Sequence, residues 1–418
     1  MSPATPTAPQ PRGVELRRRA LLGGGVGAAL AGSAAALTTA TGGEAPAADP
    51  AGVGPGTVPF HGPRQAGVVT PPPAHTRWVA LDLARGATLG DLRRVLRIWT
   101  EDLARMTQAR PTLADHTPEL TSEPADLTVT VGLGRSAFVR VGRPDLAPPW
   151  LVELPSFPTD ALEERWSGGD VVLQVGASTA EATARAQRAL VRAAGSTLRH
   201  RWTQAGTRPT TGAPSWQAPR NAFGQVDGTV QPALDGPDDE LLWRGPDSGA
   251  WEHATTLVLR RIAMNLDTWE ELDPVAKEHV IGRRLSDGAP LTGGRERSAP
   301  DLAATDAHAL TVIDPGSHMA RAMPREPWER FLRRPYSYEV TGQDEVGALT
   351  REQTPSSAHG LLFTAYCADA QRQFVPVQQR LAEADLLNIW TVAIGSATFA
   401  VLPGVREGEV LGDRVLAG

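Results

Sequence analysis

The sequence predicts an α+β protein made of two ferredoxin-like halves that pack through their sheets. Three observations carry this. The order strand, helix, strand, strand, helix can be read in the first half of the chain and, as a looser pattern, again in the second. A Thr/Gly/Pro-rich stretch, 204–219, separates the two readings and marks the division. The chain has 418 residues, 41% hydrophobic and 21% charged, which gives room for two ordinary domains in a soluble globular composition. The predicted organisation is a leader, 1–48, an extended Pro/Gly-rich lead-in, 49–75, an N-terminal half, 76–215, and a C-terminal half, 216–418.

The leader reads as an address. Arg18-Arg19 precede Ala20-Leu21-Leu22 and an apolar Ala/Gly-rich run, and small residues follow to Ala48. That is the charged, apolar, small-residue order of a secretory signal, and the paired arginines mark its twin-arginine form. The run has too little leucine to make a convincing membrane span. A chain that must take up a cofactor before export has reason to use a route that carries folded proteins.

Strands are expected at 78–83 and 126–132, which alternate, and at 169–176. Between the first two, Leu92, Val95, Leu96, Trp99 and Leu103 recur at helical spacing within 89–106. A second helix is expected from a Ser178 cap, with Glu181 three residues on, to about Ala194. In the second half, 254–263 reads as a strand. A helix over 266–281 is interrupted near Pro274, and 336–340 is a short strand. Residues 360–367 form a strong strand and 397–402 a closing one. The helix at 373–387 places Val377, Leu381 and Ala384 on one face.

Composition excludes several chemistries. The formal net charge is −6 and no basic run exists outside the leader, so nucleic acid is not an expected partner. A single cysteine, Cys367, leaves no intrachain disulfide and no CxxC site. There is no HExxH and no GxSxG, and Gly23-Gly-Gly-Val-Gly27 lacks the Lys-Ser/Thr of a phosphate loop.

Two stretches carry chemistry. In 221–232, Asp227 stands between Gly224 and Gly228, and backbone without side chains lets a carboxylate turn into a cavity. In 314–325, His318 stands without a histidine partner and with Met319 and Met323 nearby, which suits a soft, apolar site. Sixteen residues further on lies Arg334, in Phe331-Leu-Arg-Arg-Pro-Tyr-Ser-Tyr338.

Gly224-Gln-Val-Asp-Gly228 resembles the GxxDG motif of the dye-decolourising (DyP-type) haem peroxidases. His318 falls where that family has its proximal haem ligand, and Arg334 where it has its distal arginine. The strand 360–369 and the helix 372–385 are similar to the family's late core strand and the helix after it. Gln225 replaces a frequent Phe, Gln231 a frequent Asn, and Tyr336 an Asn that some members carry. The resemblance runs from about Asp49 to the C-terminus. It implies a fold of the dimeric α+β barrel type with one haem b per chain in the C-terminal half.

The implied activity reduces hydrogen peroxide and oxidises aromatic dyes or other one-electron donors through a ferryl intermediate. Asp227 would move the proton and Arg334 would stabilise developing charge. The imidazole of His318 should donate its other N–H to a carboxylate, with Asp385 the first choice and Glu383 the second. Leu361 and Phe363 would wall the distal side, and Arg283 would meet a propionate. The implied protein is exported by the twin-arginine machinery to the periplasm, cell envelope or exterior, and a homo-oligomer is a possible assembly. The alternative is an exported, deferrochelatase-like haem-binding protein for haem or iron handling, with peroxidase activity incidental.

Overall fold

The computed structural model describes residues 56–115, 117–118, 122–209, 219–234, 236–340 and 358–417. The leader, the start of the lead-in and residues 210–218 of the expected linker lie outside them.

The N-terminal half supplies β1 (His75–Leu83), β2 (Thr128–Leu133), β3 (Val171–Ala177) and β4 (Leu198–Thr207). The C-terminal half supplies β5 (Thr255–Met264), β6 (Leu332–Arg333), β7 (Tyr336–Val340), β8 (Ala358–Cys367) and β9 (Thr391–Val401). Every pairing is antiparallel. The spatial order is β4-β1-β3-β2 in one half and β9-β5-β8-β7 in the other, the same permutation of chain order. This is the duplicated ferredoxin-like architecture the sequence predicts. Short seams join the halves, Gly132↔Val401 and Leu133↔Ala400 on one side and Thr207↔Ser337 on the other. With β5 paired to β8, the sheet closes on itself.

Closure gives each strand an interior face and an outward face. Trp78, Trp202, Tyr336, Tyr338, Leu362 and Phe399 belong to one buried cluster between the halves. β2 and β3 are buried at every position, because helices cover their outer face as well. α1 (Leu89–Met106) starts at a Thr88–Asp91 capping box and buries Leu92, Val95, Leu96, Trp99 and Leu103, the predicted face. Full burial of a side chain such as Leu96 is worth about 2 kcal/mol.

Four elements differ from expectation. β4 occupies 198–207, where the sequence suggested no element over 198–203 and the start of a linker from 204. Its Arg199 and His200 are exposed, so the apolar alternation that announces a strand is broken, yet pairing with β1 along its length holds it. β6 is too short to be seen in sequence. The helix α2 (Ala180–Ala194) is capped by Thr179, whose side chain accepts from Ala182 N, and not by Ser178. Ser178 is still tied to the preceding structure by its N–H to Ala125 O at 2.8 Å.

The fourth difference matters for the site. The predicted 266–281 helix is two, α3 (Leu266–Glu270) and α4 (Pro274–Ile281), split before the proline as expected. After the short α5 (His318–Ala322), α6 spans Ala370–Ala384 and stops earlier than its periodicity suggested. Ala384 is exposed and is not part of the buried face. Asp385 has left helical geometry (φ −78, ψ 123) and is the C-cap.

Candidate functional site

The loop carrying Asp227 is held by its own short-range bonds. Asn221 Oδ1 accepts from Phe223 N at 3.0 Å and Gln225 N at 3.2 Å, and Asp227 N donates to Pro219 O at 2.8 Å. Phe223 is buried against Trp269, with ring centroids 4.6 Å apart. Gly224 and Gly228 sit at φ +78 and +95, conformations that side chains resist, so both glycines of the motif are required by the turn. Asp227 is half-buried, and its carboxylate accepts no hydrogen bond among the described residues.

Ser317 caps α5 and places His318 at its first position. His318 Nδ1 stands 2.6 Å from Asp385 Oδ2, and Asp385 Oδ1 accepts from Leu387 N at 2.9 Å. The first-choice carboxylate is therefore at hydrogen-bond distance. Glu383 faces Arg321 instead, at 3.9 Å. The early stop of α6 accounts for the difference: Glu383, still helical, meets Arg321 in the last turn of α5, whereas Asp385, which has left the helix, meets the His318 ring. Nε2 of His318 makes no hydrogen bond among the described residues.

Burial alone pushes the imidazole's pKa down, but the Asp385 charge and hydrogen bond, helped by Asp227, outweigh it and raise the value above 6.5. Arg333 pulls the other way. The His318 side chain is 38% exposed, yet desolvation is the strongest single influence on it. Those facts agree if the ring faces an internal space and not the outer surface.

The two adjacent arginines separate. Arg333 pairs with Ala365 across β6 and β8, so it lies on the face that also carries Leu361 and Phe363. Gln231 clamps it: Gln231 Oε1 accepts from Arg333 N and Gln231 Nε2 donates to Arg333 O, each at 2.9 Å. Arg333 NH2 donates to Val230 O at 2.9 Å. The end of the Asp227 loop is thus fastened to Arg333. Burial lowers the Arg333 pKa and the Asp227 charge opposes it.

Arg334 takes the other direction. It is 3% exposed, and its NH1 donates to Val68 O at 2.8 Å and to Thr70 O, both in the lead-in. Arg334, the arginine the resemblance implied, therefore points to the lead-in, and Arg333 to the face of Leu361 and Phe363, because consecutive residues of an extended chain point to opposite faces. The residue type was legible in the sequence.

Leu361 and Phe363 are half-buried and pack on two different apolar clusters, one with Phe223 and Trp269, the other with Phe331 and Phe374. Arg283 NH1 donates to Gly288 O and Glu296 O at 2.7 and 2.8 Å. Burial lowers its pKa, Arg333 lowers it further and Glu296 opposes both. Gln225 Nε2, Thr229 Oγ1 and both carboxylate oxygens of Glu296 are buried without a hydrogen-bond partner among the described residues.

Among the described residues no three His, Cys, Asp or Glu side chains cluster as a metal site. A separate cleft of ≈ 410 Å³, lined by Arg64, Asp239, Trp243, Arg244, Glu252 and His253 among others, holds none of these groups.

Residues 65–208 and 218–406 match the models of the Dyp-type peroxidase N-terminal and C-terminal regions. The chain belongs to the DyP-type peroxidase family. It is 39% identical over 370 residues to the dye-decolorizing peroxidase of Thermobifida fusca, covering 85% of this chain and 84% of that protein. It is 31% identical over 382 residues to a deferrochelatase of Escherichia coli, covering 86% and 87%. Among solved structures, the DyP-type peroxidase of Cellulomonas bogoriensis superposes with a TM-score of 0.82 at 46% identity, over 88% of this chain and 100% of that one. As a DyP-type peroxidase the protein is a haem-dependent oxidoreductase, and His318 suits that group: one imidazole backed by a carboxylate, with the charges of Asp227 and Arg333 acting on it.

Proposed function

We propose that His318 would hold the iron of haem b, one per chain, and that Asp227 and Arg333 act on hydrogen peroxide at that site. The observation that carries this is the 2.6 Å contact between His318 Nδ1 and Asp385, which leaves Nε2 to the iron. Haem bound to the imidazole of His318 would supply the redox chemistry by which peroxide is reduced and one-electron donors are oxidised. Asp227, unencumbered by hydrogen bonds, takes a proton from one peroxide oxygen and returns it to the other. Arg333 keeps its positive charge and stabilises the negative charge that builds on the leaving oxygen, which departs as water once the proton reaches it. Asp385 holds the proton on Nδ1 and makes Nε2 the more basic ligand. Arg283 meets a propionate with the part of its guanidinium that Gly288 and Glu296 do not use.

The test is spectroscopic. The purified protein reconstituted with haemin should show a Soret band that peroxide changes and that an aromatic donor restores. His318→Ala should lose the band or most of the haem, and full retention with an unchanged spectrum would remove His318 from its role. The 31% identity to deferrochelatase supports a second reading, in which haem or iron handling is the main task. Iron released from haemin with the porphyrin intact, without donor turnover, would favour that reading.

The leader is proposed to direct twin-arginine export, as its Arg18-Arg19 pair and apolar run support. Arg18→Lys with Arg19→Lys should hold the protein in the cytoplasm, and unchanged export would dismiss the route.

A further inference from the structure

We infer that Arg380 is a positioning residue for His318, an inference that rests on the ligand reading above. Arg380 lies on α6, is 7% exposed, and touches neither Asp227 nor Arg333 through any hydrogen bond among the described residues. Its guanidinium reaches the far end of α5. NH2 donates to Met323 O at 3.0 Å and to Glu329 Oε2 at 2.8 Å, and Nε approaches Arg321 O at 3.4 Å. Met323 is the C-cap of α5 and Arg321 is in its last turn.

α5 needs such help. A helix of 5 residues is below the length at which backbone hydrogen bonds sustain it, and its terminal carbonyls have no partner of their own. α6 supplies one at each end. At the start, Asp385 holds the His318 ring and Leu386 N donates to Gly316 O at 2.9 Å. At the end, Arg380 holds the carbonyls of Arg321 and Met323. Glu329 also accepts from Arg325 N at 2.9 Å, so the chain leaving α5 is fastened to the same arginine. Sliding of α5 along α6, the motion that would lengthen or tilt a bond at Nε2, has to break the Arg380 contacts first.

The ion pair itself is a poor explanation for the residue. Arg380 and Glu329 are both buried, and a buried pair does little better for stability than apolar side chains of similar volume. What apolar replacements do not reproduce is a planar fork that spans two carbonyls and a carboxylate. The geometry therefore gives Arg380 the task of fixing where the imidazole sits.

Two variants test this on the haem-reconstituted protein. Arg380→Lys keeps a charge beside Glu329, but one ammonium cannot span all three acceptors. Arg380→Met with Glu329→Leu removes the fork without leaving a buried charge alone. Both should lose haemin to excess apomyoglobin about 10-fold faster than wild type. Both should also shift or broaden the iron–histidine stretching band of the ferrous protein. A role confined to stability would lower the melting temperature and leave that band alone. Folded variants with a wild-type band and wild-type haemin loss overturn the inference, and so does failure of both variants to fold, since the arginine then serves the fold. His318→Ala run alongside keeps the two claims apart: a native spectrum there defeats the ligand reading, whereas haem loss there with silent Arg380 variants defeats only the positioning role.

Discussion

Asp385→Asn isolates the contact on which the site depends. Asp385 uses Oδ2 for His318 and Oδ1 for Leu387 N, and its side chain is 4% exposed. Asparagine can serve one of these partners but not both. If its oxygen stays with Leu387, its NH2 faces Nδ1, which must then accept, and the ring proton moves to Nε2, the atom iron requires. If the amide turns, its NH2 confronts the Leu387 N–H. A hydrogen bond to a charged group is worth about 1.5–3 kcal/mol, and because the His318 side chain is 38% exposed the lower part of that range applies, about 1.5–2 kcal/mol. At about 1.4 kcal/mol per decade this weakens haemin binding roughly 10–30-fold, within the range found when carboxylate partners of metal-bound histidines are removed. The assay is a haemin titration of the apoprotein followed at the Soret band, with the ferric–ferrous midpoint potential measured on the reconstituted protein. The potential should rise, because a less basic imidazole stabilises ferric iron less. Unchanged affinity together with an unchanged potential would mean that the 2.6 Å contact has no influence on the ligand, and the reasoning would fail.

The remaining predictions concern the same neighbourhood. Arg333→Met should slow the reaction with peroxide about 100-fold or more with haem retained, whereas Arg334→Met should leave that rate and lower stability by about 1–3 kcal/mol, since Val68 and Thr70 lose their donor; stopped-flow rates and denaturant midpoints that come out reversed would restore Arg334 to the site. Asp227→Asn should slow the same step by about 10²–10⁴ with an intact Soret band, and a wild-type rate would assign the proton transfer elsewhere. Burial pushes the Glu329 pKa up, but Arg380 and the Arg325 N–H outweigh it and hold it below 4.5. A group with a depressed folded pKa stabilises fully above its unfolded value, here 4.5, and loses that contribution as pH falls through the folded one. Denaturant midpoints should therefore fall less steeply as pH drops below 4.5 in Arg380→Met with Glu329→Leu than in wild type, and equal slopes would mean that this pair contributes nothing to acid sensitivity.

Much of the molecule was open to reading from local signals. α1 follows from the spacing of its apolar residues, and the split before Pro274 from the ring that cannot continue a helix. The GxxDG turn follows from two glycines that the backbone demands at positive φ. These are properties of a residue and its close chain neighbours, so the order of letters contains them. β4 was not open in this way, because its partner β1 is more than a hundred residues away and its exposed Arg199 and His200 hide the pattern.

The site divides along the same line. The amino-acid sequence determined the kinds of groups present: a histidine with no metal-binding partner, an acid between glycines, two arginines side by side, and a late carboxylate near the end of a helix. Only the tertiary structure showed which way Arg333 and Arg334 each point, and that Asp385 and not Glu383 meets His318. Each choice depends on direction. Neighbouring residues on β6 point to opposite faces, and the pairing of Arg333 with Ala365 says which face is which. The end of α6 is set by where its last turn meets α5, and the first residue beyond that end is the one free to turn back to His318. Residue type is written one position at a time, whereas direction is settled by contacts between parts of the chain that are distant in sequence.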